Sequence, residues 1–370
     1  MNLSFWEKEE WFTHVDYTIV GSGIVGLNTA LTLRKKFPMA KIIVLEKGIL
    51  PQGASTKNAG FACFGSISEI LSDLKTHTEE EVLQLVVKRW KGLQLLRSNL
   101  GDAVIDFQQN GSYELFSKKD ELYENCVAQL PKINELLHPV FNDDVFNVSD
   151  NKFGFSNIKQ HYIVNKFEGQ LDTGKMMASL LKLAQCNNIK ILNNTLVSNY
   201  SANTNNVIIE LNNNFTFNTK KMLIATNGFA KQLIAEKVTP ARAQVLITKP
   251  IRNLAIKGTF HFDEGYYYFR NINDRILFGG GRNLDFKGEE TTKMETSSLI
   301  QNSLDAYLKN TILPNTSYEI EHRWTGIMGV GSQKKAIVKQ LSEHVYCGVR
   351  LGGMGVAIGS LIGEELANLV

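Results

Sequence analysis

The stretch from Asp16 to Glu46 constrains the fold of this chain more than any other. Asp16 to Val20 (DYTIV) is short, β-branched and apolar, the pattern of a strand buried on both faces. It runs directly into GSGIVG, Gly21 to Gly26, and then into a helix-forming run that ends at Phe37. A G-x-G-x-x-G recurs by chance in glycine-rich chains, so its meaning comes from the strand before it and the helix after it. Gly21 permits the tight turn, Gly23 lets backbone approach a pyrophosphate, and Gly26 lets the helix lie close on the strand. Ser22, Ile24 and Val25 complete the turn and open the helix, whose unpaired N–H groups would face the phosphate charge. A second apolar strand, Lys41 to Leu45, ends at Glu46, twenty residues beyond Gly26, where a carboxylate can accept ribose hydroxyls; Lys47 follows. The stretch reads as a dinucleotide cradle, and the plain alternative is a structural βαβ turn with a surface glutamate.

With 370 residues the chain has length for two substantial domains. Its net charge of +3 is spread along the sequence, so no basic stripe points to nucleic acid. Cys63, Cys126, Cys186 and Cys347 are far apart and form no C-x-x-C pair, which argues against a zinc site or a disulfide framework and fits a reducing, cytoplasmic setting. The apolar run from Tyr17 to Leu33 is broken by glycines and preceded by Glu7, Glu9 and Glu10, so neither a signal peptide nor a membrane span is expected. Phe5, Trp6, Trp11 and Phe12 offer either a peripheral membrane contact or an apolar edge that packs on the domain.

Helical spacing marks Glu79–Asn99, Glu121–Leu137 and Gly174–Asn187. Asn110-Gly111, inside Asp106–Phe116, predicts a hairpin, and Asn206–Asn218 predicts another around Asn212–Asn214. Strands are expected at Lys190–Leu192, Thr195–Tyr200, Met222–Gly228, Gln244–Thr248, Tyr266–Arg270 and Arg275–Phe278. Helices and strands alternate strictly only in the first unit, so the expected fold is mixed α/β: a parallel-sheet nucleotide domain interleaved with an antiparallel-sheet domain.

A second glycine-rich turn, Leu351–Ala357 (LGGMGVA), opens the helix that closes the chain. Two such turns suit a cofactor longer than NAD, with the second helix pointing Gly353, Met354, Gly355, Val356 and Ala357 toward the flavin edge where negative charge collects on reduction. The pair therefore favours FAD. A third stretch, GASTKNAGFACFGS, Gly53 to Ser66, follows Glu46 and has the small residues that let backbone approach a ligand. Ser55, Thr56 and Asn58 offer polar groups, Lys57 a charge, and Gly60 and Phe61 complete the approach to the ring.

These residues, together with EGQLDTGK at Glu168–Lys175, ATNG at Ala225–Gly228, RWTGI at Arg323–Ile327 and GGMGVA at Gly352–Ala357, resemble the D-amino-acid oxidase family of FAD-dependent oxidoreductases, which includes glycine, sarcosine and γ-glutamylputrescine oxidases. The resemblance spans nearly the whole chain in family order. It implies an FAD domain assembled from residues 1–78, 150–232 and 322–370, and a substrate domain from 79–149 and 233–321. It implies contacts from Val197 to the adenine side, from Thr226, Asn227 and Gly228 to the middle of the cofactor, and from Trp324 and Gly326 near the ring. The implied reaction removes hydride from a carbon bearing an amine; the imine is hydrolysed, and oxygen or another acceptor reoxidises the flavin.

Two departures bear on substrate and tether. Glycine oxidase-like members place an arginine shortly after W-x-G, and here Ile327 and Met328 follow Gly326, so a carboxylate would need Arg242, Arg270 or Arg282. No cysteine is present in this segment, so FAD is expected to be non-covalent. Along GYYYFR, alternation puts Tyr266, Tyr268 and Arg270 on one face and Tyr267 and Phe269 on the other, making Tyr268 and Arg270 candidates for a substrate pocket, with Arg282 after three glycines as a further anchor. The expected substrate is a small amine or amino acid. Alternatives are a dehydrogenase passing electrons to a quinone or carrier, a tRNA-modifying FAD protein, and a non-catalytic flavin-binding regulator. No metal is expected.

Overall fold

The computed structural model describes residues 3–212 and 214–370. The chain folds into mixed α/β architecture built on two large sheets. In the first, Val15–Val20 lies between Ile42–Leu45 and Thr216–Ile224, with Lys190–Leu192 and Val345–Val349 outside them, all parallel. Apolar runs such as Ile42–Leu45, buried at every residue, form central parallel strands because helices and loops cover both faces.

On one face the helix Ile24–Lys36 packs against the C-terminal helix Gly355–Ala367. Gly355, Gly359 and Gly363 make a stripe along that last helix, and Thr29 donates its hydroxyl to the Gly363 carbonyl at 3.1 Å. A Cβ at Gly363 would lie 2.7 Å from both Asn28 Cβ and the Val25 carbonyl, so glycine sets the helix separation there. The ends of the chain thereby bring the two glycine-rich turns side by side.

The second sheet runs in the order Ile320–Val330, Thr239–Thr248, Arg275–Gly280, Tyr267–Ile272, Thr259–Phe262, Ser112–Glu114, His161–Asn165, Phe146–Asp150. One face carries Tyr267, Phe269, Phe260 and Phe278 into an aromatic core beneath the helix Ser298–Tyr307. The other face looks toward the first sheet.

Several expectations are corrected by this topology. Asp106–Phe116 is not a hairpin: Ser112–Glu114 pairs parallel with Thr259–Phe262 and antiparallel with His161–Asn165, while Gln108 bridges Gln170. Gly111 does turn the chain, at φ +80°, but a turn dipeptide specifies local geometry and not the strand's partners. The Asn206–Asn218 hairpin forms, with Asn213 outside the described residues. Its second strand does not stop but continues to Ile224, one nine-residue strand that exchanges an antiparallel neighbour for parallel ones along its length.

The sheets also divide the chain at points other than 150 and 322. Strands His161–Asn165 and Ile320–Val330 lie in the second sheet. The helix Glu79–Leu100 packs on the C-terminal helix, with Gly92 against the Ala357 carbonyl and Lys88 Nζ 2.9 Å from Glu365. At the N-terminus Phe12 packs against Phe215 and Phe217, whereas Phe5 and Trp6 are 65% and 76% exposed. Among the described residues no helix is long and apolar enough to cross a membrane.

Candidate functional site

Between the two sheets lies a cavity of 590 Å³ that begins at the first glycine-rich turn and ends at the face of the second sheet. Gly21, Gly23, Ile24 and Val25 line its start. Gly21 has φ +104°, and a Cβ there would meet the Ala225 carbonyl at 2.9 Å. Gly26 plays a different part. A Cβ on it would collide with the Gly21 carbonyl at 1.9 Å, so it permits the strand-to-helix turn and does not reach the cavity.

Glu46 is buried at the end of its strand and lines the cavity. Its Oε2 accepts the Ser22 N–H at 3.1 Å and hydroxyl at 2.8 Å; Oε1 accepts N–H groups from Gly48 at 3.0 Å and Gln52 at 3.4 Å. Ser22 therefore holds Glu46 from behind and does not itself line the cavity. The Lys47 ammonium sits 3.3 Å from the centroid of Phe229, and burial lowers its pKa.

Ser55 joins the third stretch to the first: its Oγ accepts the Ile24 N–H at 3.0 Å. Lys57, Asn58 and Phe61 line the same wall, but Thr56 turns away to donate to the Pro51 carbonyl at 2.6 Å. Trp324 also serves from outside, donating Nε1–H to the Lys57 carbonyl at 3.0 Å, while Gly326 leaves space against Lys57. Val197, Thr226 and Asn227 line the middle of the cavity. Thr226 Oγ1 is buried without a hydrogen-bond partner, an orphan polar atom that a bound polar group would satisfy. Asn227 Oδ1 accepts N–H groups of Arg350 and Leu351 at 3.0 and 3.2 Å, fixing the turn into the last helix. Gly228 packs on the Met328 carbonyl and stays outside the lining.

The second turn behaves as two parts. Gly353, Met354, Gly355 and Val356 line the cavity at the helix N-terminus, and Ala357 is buried behind them against Gly92. The residues present thus fit an extended dinucleotide: open glycine turns at two helix N-termini, a buried carboxylate, and an orphan hydroxyl between.

At the far end, strand register places Glu114, His261, Tyr268, Gly279, Val245 and Trp324 in one row across the second sheet. The Tyr268 ring lies over Gly279, where a Cβ would sit 2.8 Å from it, and meets Phe61 edge-on at 5.6 Å. Burial pushes the Tyr268 phenol up to about 12. Arg270, on the same face, stops short of the cavity: its guanidinium lies under the Gly60 turn, with burial lowering its pKa to about 10. Arg242 is forked onto Glu289 by two 2.7 Å bonds. Arg282 does line the cavity, stacked 4.7 Å from Phe286.

Three residues at this end were not read as site residues from the sequence. Cys63 and Glu168 line the cavity inside motifs that drew notice as motifs, and His261 lines it from an alternating strand; Glu114 lies buried behind them, outside the lining. A lone histidine and a glutamate in strands carry no local signal of burial, which comes from the pairing of distant strands. Among the described residues no group of metal-ligating side chains is present.

Known proteins share this fold. The family described as FAD dependent oxidoreductase matches residues 16–369. The chain is 20% identical over 380 residues to the probable oxidoreductase OrdL of Haemophilus influenzae, covering 96% of this chain and 83% of that protein. Glycine oxidase from Geobacillus kaustophilus superposes with a TM-score of 0.76 at 17% identity, covering 96% and 95% of the two chains. L-proline dehydrogenase from P. horikoshii superposes at 0.74 with 17% identity, covering 96% and 92%.

Proposed function

We propose that this chain, which belongs to the FAD-dependent oxidoreductase family, oxidises the C–N bond of a small amine with non-covalently held FAD. When bound, FAD supplies a hydride acceptor, and water hydrolyses the resulting imine. Ser55 and the turn at Gly21–Gly23 would hold the pyrophosphate, Glu46 the ribose, Val197 the adenine side, and Thr226 Oγ1 a polar group midway. The first-turn N–H groups of Gly355–Ala367 would face the ring. The segment Trp324–Met328 has no cysteine for a tether.

The observation that carries the substrate reading is where the arginines lie. Arg242 is spent on Glu289, Arg323 on Asp305 at 2.8 Å, and Arg270, whose Nε has no partner, lies beneath the lining under the Gly60 turn. With Arg282 alone of these at the cavity, the amine is the group the site is built around, and Tyr268 and Phe61 offer it aromatic faces. The test is anaerobic absorbance of the purified holoprotein before and after mixing with amines and amino acids. Bleaching by amines supports the reading; protein that retains no FAD overturns it.

The exposed pair Phe5 and Trp6 supports a second reading of the acceptor, in which electrons pass to a carrier or quinone at a membrane surface. Oxygen consumption at the rate of substrate turnover would exclude it.

A further inference from the structure

Glu168 is 1% exposed, lines the cavity, and belongs to none of the ion pairs among the described residues. Its Oε1 accepts both the Phe64 N–H at 2.6 Å and the Gly65 N–H at 2.9 Å. The Cys63 thiol and the Ser112 hydroxyl approach the same carboxylate. Ser112 Oγ also meets His261 Nδ1 at 3.4 Å, and the opposite ring nitrogen, Nε2, is buried with no partner on a residue 9% exposed that faces the cavity. Tyr268 stands beside His261 in strand register.

Holding two backbone amides does not require a charge. A neutral amide oxygen would serve them without the cost of burying a carboxylate. Arg89 lends positive charge nearby, but its guanidinium is turned to the Phe64 carbonyl and forms no ion pair with Glu168, which leaves the carboxylate at the cavity for a cation that enters it.

We propose that the substrate amine docks as an ammonium against Glu168, between Cys63, His261 and Tyr268, and gives one proton to that carboxylate. The inference rests on the amine-oxidising reading above. One N–H bond breaks with its electron pair kept on nitrogen, and one O–H bond forms on Glu168; nothing is oxidised or reduced in this step. The neutral amine then has the lone pair that hydride loss from the adjacent carbon needs, since an ammonium has none to donate. His261 Nε2 is placed to hydrogen-bond the amine, and Tyr268 to cover it.

The surrounding groups keep the role with Glu168. Burial lifts its carboxyl from 4.5 to about 7, near the pH at which a proton acceptor works best, although the Phe64 and Gly65 amides oppose the rise. Burial and the neighbouring Glu168 raise the Cys63 thiol well above its ordinary value, so it stays protonated. His261 is pushed down to about 4 by burial and stays neutral. Arg89, buried and donating to the Phe64 carbonyl at 2.7 Å, supplies positive charge to Glu168, Glu69 and Asp73 together. Glu114, also near 7, bonds Ser66 and Ser68 and lies outside the lining, which makes it the control.

The experiment compares wild type, Glu168→Gln, Glu168→Asp and Glu114→Gln as holoproteins, by anaerobic stopped-flow reduction with n-butylamine and related amines across pH. Butyltrimethylammonium, which has no proton to give, serves as the binding probe through its perturbation of the flavin spectrum. Expected are an acidic limb near neutrality in wild type and Glu114→Gln, its loss in Glu168→Gln with a fall of about 100-fold in reduction at pH 7, and partial return in Glu168→Asp. Glu168→Gln should also weaken probe binding about tenfold while FAD content holds and the melting temperature does not fall, since the amide mimics the protonated acid. An unchanged limb and unchanged probe affinity in Glu168→Gln overturn the ammonium site. Glu168-dependent probe binding in a protein whose flavin no amine reduces would keep the site and sink the amine-oxidising reading.

Discussion

Ser55 Oγ accepts the backbone N–H of Ile24 at 3.0 Å, so a loop residue 31 positions downstream caps the helix that starts at the first glycine turn. The helix has no side-chain cap of its own, because Gly23 occupies that position. Ser55→Ala should cost about 1 kcal/mol of stability, the usual worth of such a cap. It should also weaken FAD binding about tenfold, since the proposed pyrophosphate site includes that hydroxyl. Urea unfolding and flavin-fluorescence titration of reconstituted apoprotein measure the two losses separately.

Gly355 and Gly363 are two turns apart on the last helix and should answer differently to one methyl group. At Gly363 a Cβ meets the Val25 carbonyl and Asn28 Cβ at 2.7 Å, so Gly363→Ala should destabilise by about 1–3 kcal/mol. At Gly355 the nearest atom is 3.8 Å away, and Gly355→Ala should unfold within about 0.5 kcal/mol of wild type. Paired chemical denaturation curves decide it; equal losses would mean the helices can separate.

The Arg242–Glu289 fork is almost fully buried, and Gln244 donates to the same carboxylate at 3.0 Å. Glu289→Ala should cost about 3–5 kcal/mol by leaving the guanidinium buried without its partner. Replacing both, as Arg242→Met with Glu289→Leu, should recover most of that stability. Because neither residue lines the cavity, the flavin spectrum of the double variant should match wild type.

Glu114 gives the fold a pH dependence of definite sign. Burial raises its carboxyl from 4.5 to about 7, so folding takes up a proton between those values. Its contribution is complete below about 4.5 and is lost as pH rises through 7. His261 acts oppositely: pushed by burial from 6.5 to about 4, it contributes stability above 6.5 that is lost as pH falls through 4. Glu114→Gln mimics the protonated acid, so its stability relative to wild type should climb by up to about 3 kcal/mol between pH 4.5 and 7. Thermal melts of both proteins across that range measure the climb; a constant difference would show that Glu114 titrates as an exposed carboxylate.

The cofactor end was legible because its chemistry is written in contiguous residues. A strand, three glycines in six positions, a helix and a strand-end glutamate fix a turn, a helix terminus and a carboxylate at known spacing, and the structure puts Gly21, Gly23 and Glu46 around one cavity. Alternation along GYYYFR likewise separated the core residues Tyr267 and Phe269 from Tyr268 at the cavity. Periodicity could not tell how far each side chain reaches: Arg270 shares the face of Tyr268 but ends beneath Gly60.

By itself, then, the sequence determined the βαβ cradle, the two glycine-rich turns and the facing of individual strands, because these depend on backbone sterics and on side chains within a few residues of one another. Only the tertiary structure decided which strand Ser112–Glu114 would join, and with it the meeting of Glu168, Cys63, Ser112 and His261 at one end of the cavity. The physical reason is that strand partnership is a long-range choice, and whether a carboxylate is buried depends on what that choice brings over it.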